Sequence, residues 1–399
     1  MTEIGPASTE RLRRQNTSLV LRSLRQHGPA TRTELAGRTG LAKATVGVIV
    51  ADLESGGAVA EAEAGGESRA GTRGRPGRPV ALRGERFVAL GLEVNVDYVA
   101  AVVLDLAGRV RVSESRPVPV RGASREGTLL ALATQVVRRA VDDSRHVLVG
   151  ATLAVPGLVR SDNRTIAWAP NVGLEGDGLA SEVERALGER CGVWVSNDAN
   201  CAAYAETHHG AATDSGNVLY LTGTVGIGAG IVEDGRLVRG AAGFAGEVGH
   251  MPVGDPAARC GCGRSGCWEA SIGLHAMLAA VDLPEQATPL QTAVTVATRA
   301  AEDPAVRSRL AQLGRNVGLG LAVLATVLDP EVVVLGGYFV PLGDLVLDSA
   351  RQTLDERLVS STQHRPELRL STLGIQAAAL GAAEQSFADV FAGELDLTG

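Results

Sequence analysis

Residues 246–269 read GEVGHMPVGDPAARCGCGRSGCWE and carry four metal-ligating side chains, His250, Cys260, Cys262 and Cys267. One histidine and three thiolates suit Zn²⁺, and four protein ligands leave no open position for an activated water. The glycines between the cysteines allow turns that aim three sulfurs at one ion. The alternative is three reduced cysteines beside a core histidine. The pattern predicts one structural zinc per chain.

Two carboxylates flank this segment. Glu247 lies three residues before His250, and Glu269 lies two residues after Cys267. A metal that orders the segment would therefore fix both carboxylates beside each other. We expect the zinc to shape a polar ligand site without reacting itself.

Composition indicates a globular protein. The chain has 399 residues, of which 45% are hydrophobic and 21% charged, enough for two or three domains with a buried core. The N-terminal MTEIGPASTERLRRQ contains no apolar segment of the signal-peptide type, and the longest apolar run, residues 317–328, is interrupted by two glycines. We expect a cytoplasmic protein, whose thiols stay reduced and available to a metal.

The net charge of −7 is unevenly distributed. Residues 1–86 carry 14 Arg and Lys against 9 Asp and Glu, whereas the remainder carries 24 against 36. A basic N-terminal segment on an acidic body is typical of a DNA-binding domain attached to a sensor.

Residues 1–86 predict a winged helix-turn-helix domain. Thr31 and Glu34 form a capping-box pattern that begins a helix at residues 32–38, and Gly40 provides a turn before a helix at residues 42–55. The alternative is a plain three-helix bundle. Periodicity predicts the inward-facing residues Leu12, Leu19, Val20 and Leu24 in the first helix and Val46, Ile49, Val50 and Leu53 in the last.

Contacts with DNA are predicted on the last helix and on the wing. Lys43 and Thr45 would face the major groove at the start of the recognition helix. Between short strands at residues 58–64 and 80–82, Arg73, Arg75 and Arg78 alternate with Gly and Pro, a composition typical of segments in a narrow minor groove. A disordered linker is the alternative.

From residue 87 the pattern changes to hairpins and crossovers and then repeats, which predicts two α/β lobes with a cleft between them. The first copy has strands at residues 87–94, 98–104, 109–118 and 147–155 and a helix at 128–141; the second has strands at 217–224, 228–233 and 332–335, with helices to residue 328.

Three loops are expected to meet in the cleft. They supply Gly157, Asn171, and the pair Asn197 and Asp198, of which Asp198 is predicted to cap a helix. A simple capping role is the alternative for these residues. Together with Glu247 and Glu269 they provide amides and carboxylates, which suit a polyhydroxylated ligand because each sugar hydroxyl both donates and accepts hydrogen bonds.

The chain resembles the ROK family of repressors and sugar kinases over essentially its full length. NDAN at residues 197–200, GEVGH at 246–250 and CGCGRSGCWE at 260–269 carry the resemblance, with the N-terminal helix-turn-helix. It implies an α/β, duplicated actin-like (ribonuclease H-like) fold and a zinc site. It also implies a sugar site formed by Gly157, Asn171, Asn197, Asp198, Glu247, His250 and Glu269.

One departure favours a repressor over a kinase. Family kinases carry an Asp-x-Gly-Gly-Thr turn that holds ATP phosphates, and the residue matching Asp198 is their catalytic base; here the turn reads Glu93-Val94-Asn95-Val96-Asp97. A bulky valine and a negative charge replace the phosphate cradle. We therefore predict a non-catalytic, sugar-responsive regulator that binds operator DNA as a homodimer or homotetramer, with a sugar kinase as the alternative.

The predicted domains are a DNA-binding domain, residues 1–86, and a sugar-sensing domain, residues 87–399. Within the second, lobe one would span about residues 87–197 plus the C-terminal end, and lobe two about residues 198–380.

Overall fold

The computed structural model describes residues 6–62, 77–118, 125–141, 145–358, 364–395 and 397. Its helices are α1 (Pro6–His27), α2 (Arg32–Thr39), α3 (Lys43–Ser55), α4 (Arg125–Ala140), α5 (Gly178–Ala186), α6 (Asp198–His209), α7 (Glu269–Ile272), α8 (Leu274–Val281), α9 (Pro289–Glu302), α10 (Pro304–Leu328), α11 (Phe339–Leu342), α12 (Asp344–Arg357), α13 (Ala377–Gln385) and α14 (Ala388–Ala392). Short 3-10 turns occur at Val248–His250 and Gly374–Gln376.

The strands are β1 (Val59–Glu61), β2 (Val80–Leu82), β3 (Phe87–Val94), β4 (Tyr98–Asp105), β5 (Val110–Pro117), β6 (Val147–Val155), β7 (Leu158–Val159), β8 (Ile166–Ala169), β9 (Leu174–Gly176), β10 (Val193–Asn197), β11 (Val218–Gly223), β12 (Ile227–Glu233), β13 (Arg236–Leu237), β14 (Val332–Gly337) and β15 (Glu367–Leu370).

The N-terminal region, here called the head, contains helices α1 to α3 and the antiparallel pair β1–β2. The predicted capping box is present: the Glu34 N–H donates to Thr31 Oγ1 (3.2 Å), and the Thr31 N–H donates to the Glu34 carboxylate (2.8 Å). Helix α3 buries the four residues that its period predicted, Val46, Ile49, Val50 and Leu53.

The prediction for the inward face of α1 is partly wrong. Val20 and Leu24 are buried, but Leu12 and Leu19 are exposed, and Leu21 is buried in their place. At about 100° per residue, Leu12 and Leu19 point well away from the side of Val20, Leu21 and Leu24. That side packs with residues of α13 and α14, at the far end of the chain.

Two five-stranded sheets share one topology. In the first, of order β10-β6-β3-β4-β5, strands β3, β4 and β5 are antiparallel, whereas β3, β6 and β10 are parallel. In the second, of order β13-β12-β11-β14-β15, strands β11, β12 and β13 are antiparallel, whereas β11, β14 and β15 are parallel. The predicted internal duplication is therefore confirmed.

Helices α6 and α13 lie between the two sheets. Alanines of both helices join the core with Val218 and Val334 of the second sheet, while Ala379 and Ala383 of α13 pack with the first. The two helices touch so closely that a Cβ on Gly381 would lie 1.7 Å from the Cys201 carbonyl oxygen. This central pair runs from Asp198, a predicted site residue, to His209 and Glu384, which contact Arg25 of the head.

Helix α10 is long and apolar enough, by length and composition, to cross a membrane. Its residues Leu310, Leu313, Val317 and Leu321 belong to the core that covers the second sheet, so its apolar character is explained by packing.

The predicted domain boundary at residue 86 is not marked by a gap in the core. Leu21 and Val50 of the head share one hydrophobic cluster with Phe87, Leu104 and Phe387. Any division into domains and lobes therefore stays a prediction.

Candidate ligand cleft and metal centre

The four predicted metal ligands converge. One ligand atom from each of His250, Cys260, Cys262 and Cys267 lies within 4.8 Å of the others. The sulfurs of Cys262 and Cys267 are 3.7 Å apart, and a tetrahedral zinc with Zn–S bonds of about 2.3 Å requires a separation of about 3.8 Å. Positive φ angles at Gly263 and Gly266 (87° and 79°) form the turns. The donor set and spacing therefore fit a tetrahedral metal ion.

The two ring nitrogens of His250 face different partners. Nδ1 lies 3.9 Å from Cys260 Sγ, whereas Nε2 lies 4.0 Å from a carboxylate oxygen of Glu247. A metal held through Nδ1 would fix the orientation of the ring and leave Nε2 on the side of Glu247. His250 can thus serve both the metal centre and a ligand, the two roles predicted for it.

Glu269 links the metal centre to the second sheet. Its Oε2 accepts a hydrogen bond from the Ile227 N–H (2.9 Å), and its Oε1 accepts one from Cys260 Sγ (3.3 Å). Next to it, Trp268 is buried and donates its indole N–H to the Asn316 carbonyl of α10 (2.8 Å). The metal segment is therefore anchored in the core that covers the second sheet.

Asn197 rather than Asp198 caps α6, which corrects the prediction. Asn197 Oδ1 accepts from the Asn200 N–H (3.0 Å), and its Nδ2 donates to the Gly157 carbonyl (3.1 Å). Asn197 can do this because it is the last residue of β10 with an extended backbone. Only glycine fits at position 157, since a Cβ there would lie 2.5 Å from the Trp168 carbonyl oxygen.

Asp198 is the first residue of α6 and does not cap the helix, so its carboxylate can accept other hydrogen bonds. One carboxylate oxygen accepts from the Ala199 N–H (2.9 Å). Burial raises the pKa of Asp198 to about 7, and the nearby charge of Glu247 adds to the effect. Partial desolvation raises the pKa of Glu247, whose side chain is 44% exposed; His250 opposes the shift and Glu269 adds to it. The carboxylates of Asp198, Glu247 and Glu269 therefore repel one another. Sugar hydroxyls that donate hydrogen bonds to them would reduce this repulsion.

Asn171 is not drawn into this cluster. It is exposed in the turn between β8 and β9, and within the described ranges no hydrogen bond joins it to another predicted site residue. Its role in ligand binding stays a prediction.

The turn at residues 93–97, predicted to lack a phosphate cradle, is filled by its own side chains. The Tyr98 hydroxyl donates to Glu93 Oε1 (2.6 Å) and accepts from Asn95 Nδ2 (3.2 Å), while Asn95 Oδ1 accepts from the Val96 N–H (2.7 Å). Burial raises the pKa of Glu93 to about 7. In this turn the Val96 N–H is already bound, and an acidic side chain, Asp97, follows.

The predicted DNA contacts lie on the surface where they are described. Lys43 is exposed in the first turn of α3 and Thr45 is partly exposed. Arg78 is exposed and pairs with Glu61 across the β1–β2 sheet (2.6 Å). Arg73 and Arg75 lie outside the described residues.

Sequence reasoning missed a buried charge cluster between the head and the body. Arg25 of α1 donates two hydrogen bonds to Glu384 of α13, one of them from Nε (3.1 Å), and His209 Nε2 lies 3.0 Å from the same carboxylate. Burial opposes ionisation of Glu384, but His209 and Arg25 outweigh it and lower its pKa to about 2. The sequence indicates this cluster only through a single glutamate, Glu384, in the otherwise small and apolar stretch AAALGAAEQ.

Sequence reasoning also missed Val48. Its side chain is 62% exposed, one helical turn after Thr45 and so on the side of α3 that carries Thr45 rather than Lys43.

Comparison with known proteins places these features in a family. The ROK family model matches residues 89–386. The xylose repressor of Bacillus subtilis is 29% identical over 372 residues, which cover 93% of this chain and 94% of the repressor. The glucokinase of Streptomyces coelicolor is 31% identical over 74% of this chain and 96% of the kinase.

A solved structure extends the similarity to the head. The crystal structure of a ROK family transcriptional regulator, described as a homolog of the E. coli MLC protein, matches with a TM-score of 0.79 and 25% identity over 97% of this chain and 99% of its own. Since the family model alone spans most of the sequence, this chain belongs to the ROK family.

Proposed function

We propose that this protein is a sugar-responsive transcriptional repressor of the cytoplasm. It binds operator DNA through α3 and the β1–β2 wing, as a homodimer or homotetramer, and binds a sugar in the cleft lined by Asp198, Glu247 and His250. The observation that carries the proposal is similarity to a xylose repressor over 93% of the chain, head included.

The cleft chemistry supports a sugar as the effector. Asp198 and Glu247 offer carboxylate acceptors, and His250 offers Nε2, so several hydroxyls of one sugar ring can be bound together. Zn²⁺ is the proposed occupant of the metal centre, because three sulfurs and one nitrogen are the donors that it favours. The ion would hold His250 and Glu269 in position and take no part in chemistry.

The proposal is tested by DNA binding with and without sugar. Operator sequences selected from a random pool by the full-length protein would be titrated by fluorescence anisotropy, alone and with D-xylose, D-glucose or N-acetylglucosamine. We expect one sugar to change operator affinity at least about tenfold, within the usual range of allosteric coupling. Asp198→Asn should retain DNA binding and lose that response. Selection of no sequence above background would refute the assignment.

A sugar kinase is the second candidate, favoured by one specific observation. Asp198 has a pKa of about 7, which suits a general base at neutral pH, and a glucokinase is among the relatives. Against it stands the filled turn of Glu93, Asn95 and Tyr98, which offers no glycine-rich cradle for phosphates. A coupled assay with ATP, Mg²⁺ and the identified sugar should show no turnover near 1 s⁻¹, the low end of about 1–10³ s⁻¹ for ordinary enzymes.

A further inference from the structure

A cavity of about 380 Å³ lies between the head and the body. Its walls come from α1, α6, the α13–α14 segment, β6 and β10, and the β12–β13 hairpin with the residues that follow. Its volume falls within the range of about 300–1,000 Å³ that is usual for small-molecule sites.

The cavity is distinct from the sugar cleft. Thr152 and Trp194 are paired neighbours on β6 and β10, and together with Ser196 they form one face of the cavity. Successive side chains of a strand point to opposite faces of a sheet, so Ser196 and Asn197 point to opposite sides. The cavity therefore lies behind the strand whose end presents Asn197 to the cleft.

Cationic side chains predominate around this cavity. Arg22, Arg25, Arg236 and Arg239 line it, against the carboxylates Glu384 and Asp389. Glu384 is already bound by Arg25 and His209, which leaves the exposed Arg22 and Arg236 and the partly buried Arg239 against the one exposed carboxylate of Asp389. The unneutralised charge in the cavity is therefore positive.

Arg239 is the residue that indicates an anionic ligand. Its Nε is buried and has no hydrogen-bond partner, and among the described residues its guanidinium forms no ion pair. The nearby carboxylate of Asp162 is committed to Thr165 and to the Arg164 N–H. A buried donor without a partner costs about 1–3 kcal/mol, more when charged, so a bound anion would remove a real penalty.

The rest of the cavity suits an organic group. Trp194, Tyr204, Leu237 and Phe391 provide apolar and aromatic walls, and the buried Asn163 Oδ1 is an acceptor without a partner. A hydroxyl or N–H of a ligand would satisfy it.

We propose that this cavity binds a small phosphate ester, whose phosphate is held by Arg239 and Arg236 and whose organic part lies against Trp194 and Asn163. Because one wall is α1 of the head and the others belong to the body, the ligand would contact both. The protein then has a second effector site, which reads a phosphorylated metabolite independently of the sugar cleft.

The test uses full-length protein and isothermal titration in a phosphate-free buffer of low ionic strength. The probes are inorganic phosphate, D-glucose 6-phosphate, citrate and D-glucose. We expect inorganic phosphate to bind in the millimolar range, about −4 kcal/mol, and D-glucose 6-phosphate to bind more tightly. Citrate binding as tightly as the ester would overturn the choice of a phosphate, and the absence of phosphate binding would overturn the site.

Variants locate the binding. Arg239→Gln should weaken phosphate binding at least about tenfold, as expected when a charge-assisted hydrogen bond is removed, whereas Asp198→Asn in the cleft and Arg138→Gln on the exposed side of α4 should leave it unchanged. Loss of phosphate binding in Asp198→Asn would show that phosphate binds in the sugar cleft instead, and would refute the proposal. Equal binding by all variants would identify an adventitious ion only.

Thermal unfolding without ligand separates a binding role of Arg239 from a structural one. Since its Nε lacks a partner, Arg239→Gln should melt at or above the temperature of the wild type. A marked drop would show that Arg239 supports the fold, and the proposal would be wrong.

Discussion

At the scale of single residues, the proposed sugar site and the neighbouring turn contain carboxylates whose burial disfavours ionisation. Burial raises the pKa values of Asp198 and Glu93 to about 7; the charge of Glu247 adds to the effect at Asp198, and the charge of Asp198 adds to it at Glu93. An ionised Asp198 is the better acceptor for a sugar hydroxyl. Proton and sugar should therefore compete for it.

This competition predicts a pH dependence of sugar binding. With a pKa of about 7, Asp198 is mostly protonated at about pH 6 and mostly ionised at about pH 8, so sugar affinity should rise about tenfold over that interval. Titration calorimetry at several pH values measures it. Asp198→Asn should bind weakly with a flat profile, whereas Glu93→Gln should keep the slope. A slope that persists in Asp198→Asn would assign the titration to another group.

At the scale of elements, α6 and α13 connect the cleft to the head. Helix α6 begins at Asp198 in the cleft and ends at His209, which contacts Glu384 of α13 and through it Arg25 of α1. Twelve residues at 1.5 Å each give a rigid span of about 18 Å. Movement of α6 on sugar binding would thus be transmitted to the head.

Breaking the buried cluster should uncouple the head from the sugar. Glu384→Gln leaves Arg25 buried without its counter-charge, for which about 3–5 kcal/mol of lost stability is typical. We expect normal sugar affinity by calorimetry but a weakened operator response by anisotropy. Glu367→Gln, which breaks an exposed pair with Arg369, is the matched control. An unaltered response in a folded Glu384→Gln variant would exclude this route.

The proposed DNA contact of the wing is made by its cationic side chains. Arg78→Ala, combined with Arg75→Ala, should lower operator affinity and reduce the slope of log K against log salt by about 0.9 for each phosphate that the wing no longer neutralises. The exposed Arg78–Glu61 pair contributes little to stability, so folding should be unaffected. Arg138→Ala, far from the head in sequence and also exposed, controls for net charge. If operator affinity and its salt dependence were unchanged, this segment would be only a linker.

At the scale of the whole molecule, the metal should be needed for the ligand response. Zinc at such sites contributes about 10 kcal/mol or more of apparent free energy, comparable with the stability of a domain. Cys262→Ser should therefore lose zinc, measured by elemental analysis, together with sugar affinity, since Glu269 and His250 are held by the same segment. The free Cys191→Ser serves as control. A variant without zinc but with full sugar affinity would disprove this coupling.

Local sequence patterns correctly predicted the structural features that depend on residues close together in the sequence. The capping box of Thr31 and Glu34, the buried face of α3 and the metal cluster all follow from spacings of a few residues. The errors concern distant partners: Leu12 and Leu19 were predicted to face inward, but α14 packs on the other side of α1. Arg25 and Glu384 are 359 residues apart in the sequence, so no local pattern of residues could predict their contact.

The packing of α1 on the C-terminal segment also bears on the order in which the protein is made. Ser18 and Arg22 donate to the Phe391 carbonyl, so α1, which also packs on α2 and α3, completes its packing only with residues near position 391. Chains are synthesised from the N-terminus at about 5–20 residues per second. The part of α1 that packs on α14 therefore stays exposed to solvent until the segment around Phe391 has been synthesised, and the head reaches its final packing only then.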